Sequence, residues 1–174
     1  MQKILITGPE SSGKSQLASS LATRFPGAEW TPEYARYYLG RLDRPYQEAD
    51  LWHIAQGQLS WERQRIARQP SWLFCDTGPE VIYIWSMVKY GFASPALRAL
   101  VEEVHYDLTL LCYPDLTWEP DPLREAPDLD VRIALFDEYR LLLQQLGREF
   151  EVIEGQGEAR TQLAMAHLSG VPIL

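Results

Sequence analysis

Lys3-Ile4-Leu5-Ile6-Thr7-Gly8-Pro9-Glu10-Ser11-Ser12-Gly13-Lys14-Ser15-Gln16-Leu17 decides the fold of this chain. The aliphatic and β-branched run KILIT stops at Gly8, which reads as a short strand buried on both faces. Beyond the glycine-rich turn, Leu17, Ala18, Leu21, Ala22 and Phe25 recur at helical spacing until Pro26-Gly27 ends the pattern. Between strand and helix, GPESSGKS fits G-x-x-x-x-G-K-[ST] in the context that this motif requires. Successive backbone N–H groups in such a turn make an anion-binding concavity, and the helix N-terminus adds about half a positive charge aimed at the same point. Gly8, Glu10, Ser11, Ser12, Gly13, Lys14, Ser15 and Gln16 are therefore the expected contacts to the phosphates of ATP. Lys14 is expected to reach the terminal phosphates, and Ser15 to offer its hydroxyl to Mg²⁺.

Outward from this loop, strand and helix signals alternate. Ala28 to Trp30 suggests a second short strand, and Gln47 to Gln69 a long amphipathic helix. Trp72 to Cys75 is a buried strand ending in Asp76, with Thr77 as the expected cap and Pro79 near the first position of the next helix. Ser94-Pro95 starts a helix to about Val104, Tyr106 to Tyr113 is a fourth strand, and Asp130 to Leu146 is a helix closed by Gly147. Phe150 to Ile153 and Glu158 to Leu168 complete the series. Such alternation implies right-handed crossovers, hence an α/β fold with a five-stranded parallel sheet covered by helices on both faces. Pro114 to Pro127 breaks the rhythm with four of the chain's 12 prolines, and a lid loop over roughly 114–128 is expected there.

Composition narrows the class. A chain of 174 residues with 46% hydrophobic and 23% charged residues is expected to form one globular domain over 1–174. Sixteen Lys+Arg against 24 Asp+Glu give a formal charge of -8, which argues against a nucleic-acid partner. Cys75 and Cys112 sit in apolar runs without metal-ligand spacing, so buried free thiols and a cytoplasmic location are expected. The N-terminal apolar run is too short for a signal peptide, and no apolar window is long enough to span a membrane.

If the loop serves phosphoryl transfer, an acceptor hydroxyl must be aligned and charge on the moving group met. Asp76, at the end of its strand, stands where a carboxylate can hold magnesium directly or through water. Glu33, just past the second strand in TPEYAR, is the candidate orienting base, with Tyr34 and Arg36 beside it. Arg124 within the expected lid and Arg132 just after it are candidates for transition-state charge. The acids also admit plainer roles as helix caps or first-turn charges, and the arginines as solvated partners of nearby carboxylates. Of Trp30, Tyr34, Tyr37, Tyr38, Trp85, Tyr90 and Trp118, most are expected in the core. One or two facing the crevice could stack on a flat acceptor ring, and Tyr34, Trp85 and Trp118 are the candidate substrate contacts among them, with Glu33, Arg36 and Asp76.

Taken in order, GPESSGKS, PEYARYYL, DLWHIAQGQ, LFCDTG and YDLTLLCYPDLTWEPDPLRE resemble the kinase domain of NadR-type ribosylnicotinamide kinases over nearly the whole chain. The resemblance implies a P-loop kinase fold and ATP-dependent phosphorylation of the 5′-hydroxyl of nicotinamide riboside to nicotinamide mononucleotide. It assigns phosphate and magnesium roles to Lys14 and Ser15, acidic roles near acceptor and metal to Glu33 and Asp76, and lid positions to Trp118 and Arg124. Multifunctional members carry DNA-binding and adenylyltransferase regions ahead of the kinase; Met1 stands close to the first strand here, so those functions are not expected. The residues alone leave two alternatives: a kinase of another nucleoside, or a nucleotide-sensing module that needs Lys14 but not Glu33.

Overall fold

The computed structural model describes residues 1–170; of the single domain expected over 1–174, residues 171–174 lie outside the described residues. Five parallel strands stand in the order β2-β3-β1-β4-β5: β1 (Gln2–Thr7), β2 (Ala28–Thr31), β3 (Trp72–Asp76), β4 (Leu108–Cys112) and β5 (Phe150–Ile153). Helix α1 (Lys14–Arg24) follows β1, and α2 (Tyr34–Leu39) and α3 (Glu48–Ile66) lie between β2 and β3. The others are α4 (Pro79–Tyr90), α5 (Pro95–Glu103), α6 (Leu129–Gln145) and α7 (Gly157–Leu168). Among the described residues no helix is long and apolar enough to cross a membrane.

Because side chains alternate along a strand, Ile4 and Ile6 point to one face of the sheet and Leu5 to the other. The first face is covered by Leu17, Ala18 and Leu21 of α1 and Ala164 and Leu168 of α7. On the other, Leu5 packs with Leu73, Cys75 and Tyr106, while Leu111 meets Val81 and Ile84 of α4 and Phe136, Tyr139, Leu142 and Leu143 of α6. All three central strand residues are fully buried, which is why the strands read as continuous apolar runs.

Two local expectations change. The segment after β2 forms the helix α2, whose only fully buried residue is Ala35, so six residues gave too little periodicity to reveal it. Thr77 does not cap α4: Gly78 is the N-cap, and Thr77 holds a left-handed φ of 73° while its N–H continues the sheet ladder to the Ile6 carbonyl. A β-branched residue in that region is an outlier, and such strain concentrates at functional sites.

Register brings the site together. Ile6 pairs with Asp76, so the carboxylate lies beside the strand end from which the glycine-rich loop departs. Thr31 pairs with Cys75, which puts Pro32 level with Asp76 and Glu33 one residue further out. Gly8, at φ 133°, passes so close to β4 that a Cβ would sit 2.6 Å from the Cys112 carbonyl oxygen. No other residue fits there.

Candidate active site

Beyond the carboxyl ends of β1, β2 and β3 opens a cavity of about 440 Å³. Gly8, Glu10, Ser11, Ser12, Gly13, Lys14, Ser15 and Gln16 line one side, and Glu33, Arg36, Val81, Trp85 and Tyr139 the other. Leu116, Thr117, Glu119, Leu123 and Arg124, from the loop between β4 and α6, complete its wall. The loop wraps through left-handed conformations at Ser11 (φ 53°) and Gly13 (φ 76°), the alternation that turns successive amides inward. It is braced from within: the Ser12 hydroxyl and the Lys14 ammonium both donate to the Pro9 carbonyl, at 2.7 and 2.6 Å. The Ser11 hydroxyl is buried with no protein partner.

Asp76 is buried to 1% exposure beneath this cavity. Burial is the main reason that its carboxyl is pushed up to about 6; the Glu33 charge adds to the rise, while the Ser15 hydroxyl, Lys14 and Arg36 oppose it. One carboxylate thus senses both the glycine-rich loop and the Glu33–Arg36 pair. Its Oδ1 is buried without a hydrogen-bond partner. Among the described residues no group of three or more His, Cys, Asp or Glu could cage a metal, so a cation held here would take most of its ligands from phosphate and water. An unpartnered carboxylate oxygen beside a serine hydroxyl suits Mg²⁺ bound in that way.

Glu33 stands at the N-cap of α2, and Arg36 donates to it at 3.1 Å while also donating to Asp121, in the loop between β4 and α6, at 2.8 Å. Arg124 lines the cavity wall and donates to the Glu119 carbonyl at 2.5 Å.

Three expected residues serve elsewhere. The Tyr34 ring lies on Gly57 and packs with Tyr37, Tyr38 and Trp61, and it is not among the residues lining the cavity. Trp118 is not among the lining residues; its indole N–H donates to Glu10 at 2.9 Å. Arg132 is buried and donates to the Leu116 carbonyl at 3.2 Å, tying α6 to the loop that follows β4. Of the seven aromatic candidates only Trp85 lines the cavity. It also lines an adjoining cavity of about 480 Å³ with Leu39, Tyr46, Lys89, Leu123 and Glu125.

Two residues escaped the sequence reading. Tyr139 reads as one more apolar position of α6, yet it borders the cavity; burial, then Glu33 and Glu10, holds its hydroxyl in the neutral form. Arg160, from α7, is buried and donates to the carbonyls of Ser12 (2.8 Å), Gly155 (2.7 Å) and Tyr113 (3.0 Å) and to the Asp115 carboxylate. Nothing in its local sequence distinguishes it from a surface arginine.

A five-stranded parallel sheet with a phosphate-cradling loop at its central strand and an acid on the neighbouring one defines a P-loop nucleotide-binding domain. The chain belongs to the family described as AAA domain, whose model matches residues 3–160. It is 28% identical over 127 residues to the trifunctional NAD biosynthesis/regulator protein NadR of Salmonella typhimurium, covering 71% of this chain and 31% of that protein. It thus spans about a third of the length of that relative. A crystal structure of NadR protein in complex with NR superposes with a TM-score of 0.77 at 21% identity, covering 99% of this chain and 53% of that one. Thymidylate kinase from Ehrlichia chaffeensis superposes at 0.69 with 12% identity, over 96% of this chain and 98% of that one. The fold is that of P-loop kinases.

Proposed function

We propose that residues 1–174 form a single, cytoplasmic kinase domain that transfers the γ-phosphoryl group of ATP to a nucleoside, with the 5′-hydroxyl of nicotinamide riboside as its acceptor. One observation carries the reading: Glu33 and the phosphate loop border the same cavity, with Asp76 beneath both. A sensor of nucleotides needs the loop but has no use for a carboxylate on the far side. The likeness to NadR supports nicotinamide riboside as acceptor.

In this reading the loop amides and Lys14 bind the terminal phosphates, and Ser15 and Asp76 would hold Mg²⁺, which when bound supplies charge neutralisation at those phosphates. Glu33 accepts a hydrogen bond from the acceptor hydroxyl and then its proton as the oxygen attacks phosphorus in line. Arg36, paired with Glu33, holds that carboxylate at the cavity wall. Arg124 meets the charge that spreads over the transferring group, and the lid above it excludes water, protecting ATP from hydrolysis. Trp85, at the junction of the two cavities, offers a face to the nicotinamide ring, whose positive charge suits an acidic, aromatic-lined cleft.

The test is a panel of nucleosides with ATP, followed by coupled ADP detection and product mass. Nicotinamide riboside is expected to turn over fastest; equal or better turnover of adenosine, cytidine or uridine would refute that acceptor. Glu33→Gln is expected to retain ATP binding and lose transfer by a factor on the order of 10² or more. Unchanged transfer in that variant would remove Glu33 from the mechanism.

A further inference from the structure

Glu10 occupies one of the unspecified positions of the phosphate-loop motif, where the backbone alone is expected to matter. Its side chain nevertheless has a defined task. Oε1 accepts from the Trp118 indole N–H at 2.9 Å and from the Ala126 amide at 2.8 Å, and Oε2 accepts from the Glu125 amide at 2.9 Å. All three donors belong to the lid and lie on both sides of Arg124. We propose that Glu10 is the positioning residue that clasps segment 118–126 onto the phosphate loop and thereby sets Arg124 over the transferring group. This rests on the kinase reading and deepens it.

The residue type fits the task. An ionised carboxylate accepts on both oxygens and donates nothing, so three N–H groups can converge on it. Glutamine offers a single acceptor oxygen and would turn its own NH₂ toward one of those donors. Charge assistance makes each of these bonds stronger than a neutral pair. It also answers an electrostatic problem, because a bare carboxylate inside an anion-binding loop would repel the triphosphate. Three donors directed at it offset that charge while leaving the amides of Ser11 to Ser15 to the ligand.

Other attachments of the lid leave this one distinctive. Arg36 to Asp121 ties it to α2, Lys89 to Glu125 reaches it at 3.6 Å from a partly exposed position, and Arg132 holds it at Leu116. Glu10 is the side chain through which the phosphate loop itself grips the segment bearing Arg124. Ala126 is buried, so its amide would be left without an acceptor in a confined place if Glu10 were shortened.

The test combines hydrogen exchange with kinetics on the full chain. Glu10→Ala and Glu10→Gln are expected to exchange amides of 118–126 faster than the wild type, by on the order of tenfold for alanine and less for glutamine. At saturating ATP, alanine should cut the transfer rate on the order of tenfold and raise ATP hydrolysis relative to transfer. Unchanged exchange in the lid peptide would overturn the clasp. Faster exchange with an undiminished transfer rate would overturn the positioning of Arg124. Should Glu10→Ala fail to fold, Trp118→Phe removes one of the three bonds from the lid side, and unchanged exchange there would equally refute the clasp. If the wild type transfers phosphate to no nucleoside, the kinase reading fails, while the exchange comparison still decides whether Glu10 holds the lid.

Discussion

Replacing Asp76 with asparagine should make the protein more stable and inactive at once. The carboxyl titrates near 6 in the folded chain, chiefly through burial, against about 3.9 for an unfolded aspartate. The folded state therefore binds this proton more tightly than the unfolded one. Its contribution favours folding below about pH 4 and turns into a penalty as pH rises through 6. Two pH units correspond to about 3 kcal/mol at pH 8, with the attraction of Lys14 and Arg36 already included in the net shift. Asparagine keeps a similar shape and an acceptor for the Ser15 hydroxyl but carries no charge. For a chain of this size that predicts a melting temperature roughly 6–12 °C above the wild type at pH 8, and about half that gain at pH 5. Calorimetry or tryptophan fluorescence melts at the two pH values measure it, and a nucleoside assay alongside should show transfer lost. A variant melting at or below the wild type at pH 8, or a gain identical at both pH values, would refute the account of Asp76 as a charge held at a cost beneath the phosphate loop.

The Gly57→Ala change should disturb the acceptor side alone: a Cβ there would sit 2.0 Å from the Tyr34 ring, which Tyr37, Tyr38 and Trp61 confine. We expect a loss of about 1–2 kcal/mol after the helical preference for alanine is credited, and a lower turnover at unaltered ATP affinity; melting curves and ATP titration check this. Arg160→Met should cost about 3 kcal/mol by stripping the donor shared by three carbonyls and Asp115, and should weaken ATP binding as Ser12 loses its brace. Tight ATP binding by a folded Arg160→Met chain would show that the brace is dispensable.

Much of this architecture was legible because its determinants are local. KILIT before GPESSGKS, and WLFC before Asp76, each announce a buried strand with chemistry at its end, and the register that joins them follows from parallel pairing. Glu33 could be named because it falls just beyond β2. What stayed hidden depends on partners far away in the chain. Glu10 meets donors 108 to 116 residues distant, and Arg160 meets Ser12 at a separation of 148, so neither leaves a periodic or spacing signal. Tyr34 and Trp118 were misplaced for a related reason: an aromatic ring suits a core, a stacking face or a hydrogen-bonding edge equally well, and only packing chooses.

The order of the strands has a consequence for how this molecule could change. The phosphate loop and Asp76 depart from β1 and β3, two of the three inner strands, each bonded on both flanks, whereas Glu33 rides at the tip of β2, a four-residue margin bonded on one side only. Residues at that margin, with α2 and the roof loop, can be exchanged without disturbing the machinery at the centre. A scaffold divided in this way can acquire a taste for a new alcohol while its handling of the triphosphate is inherited intact.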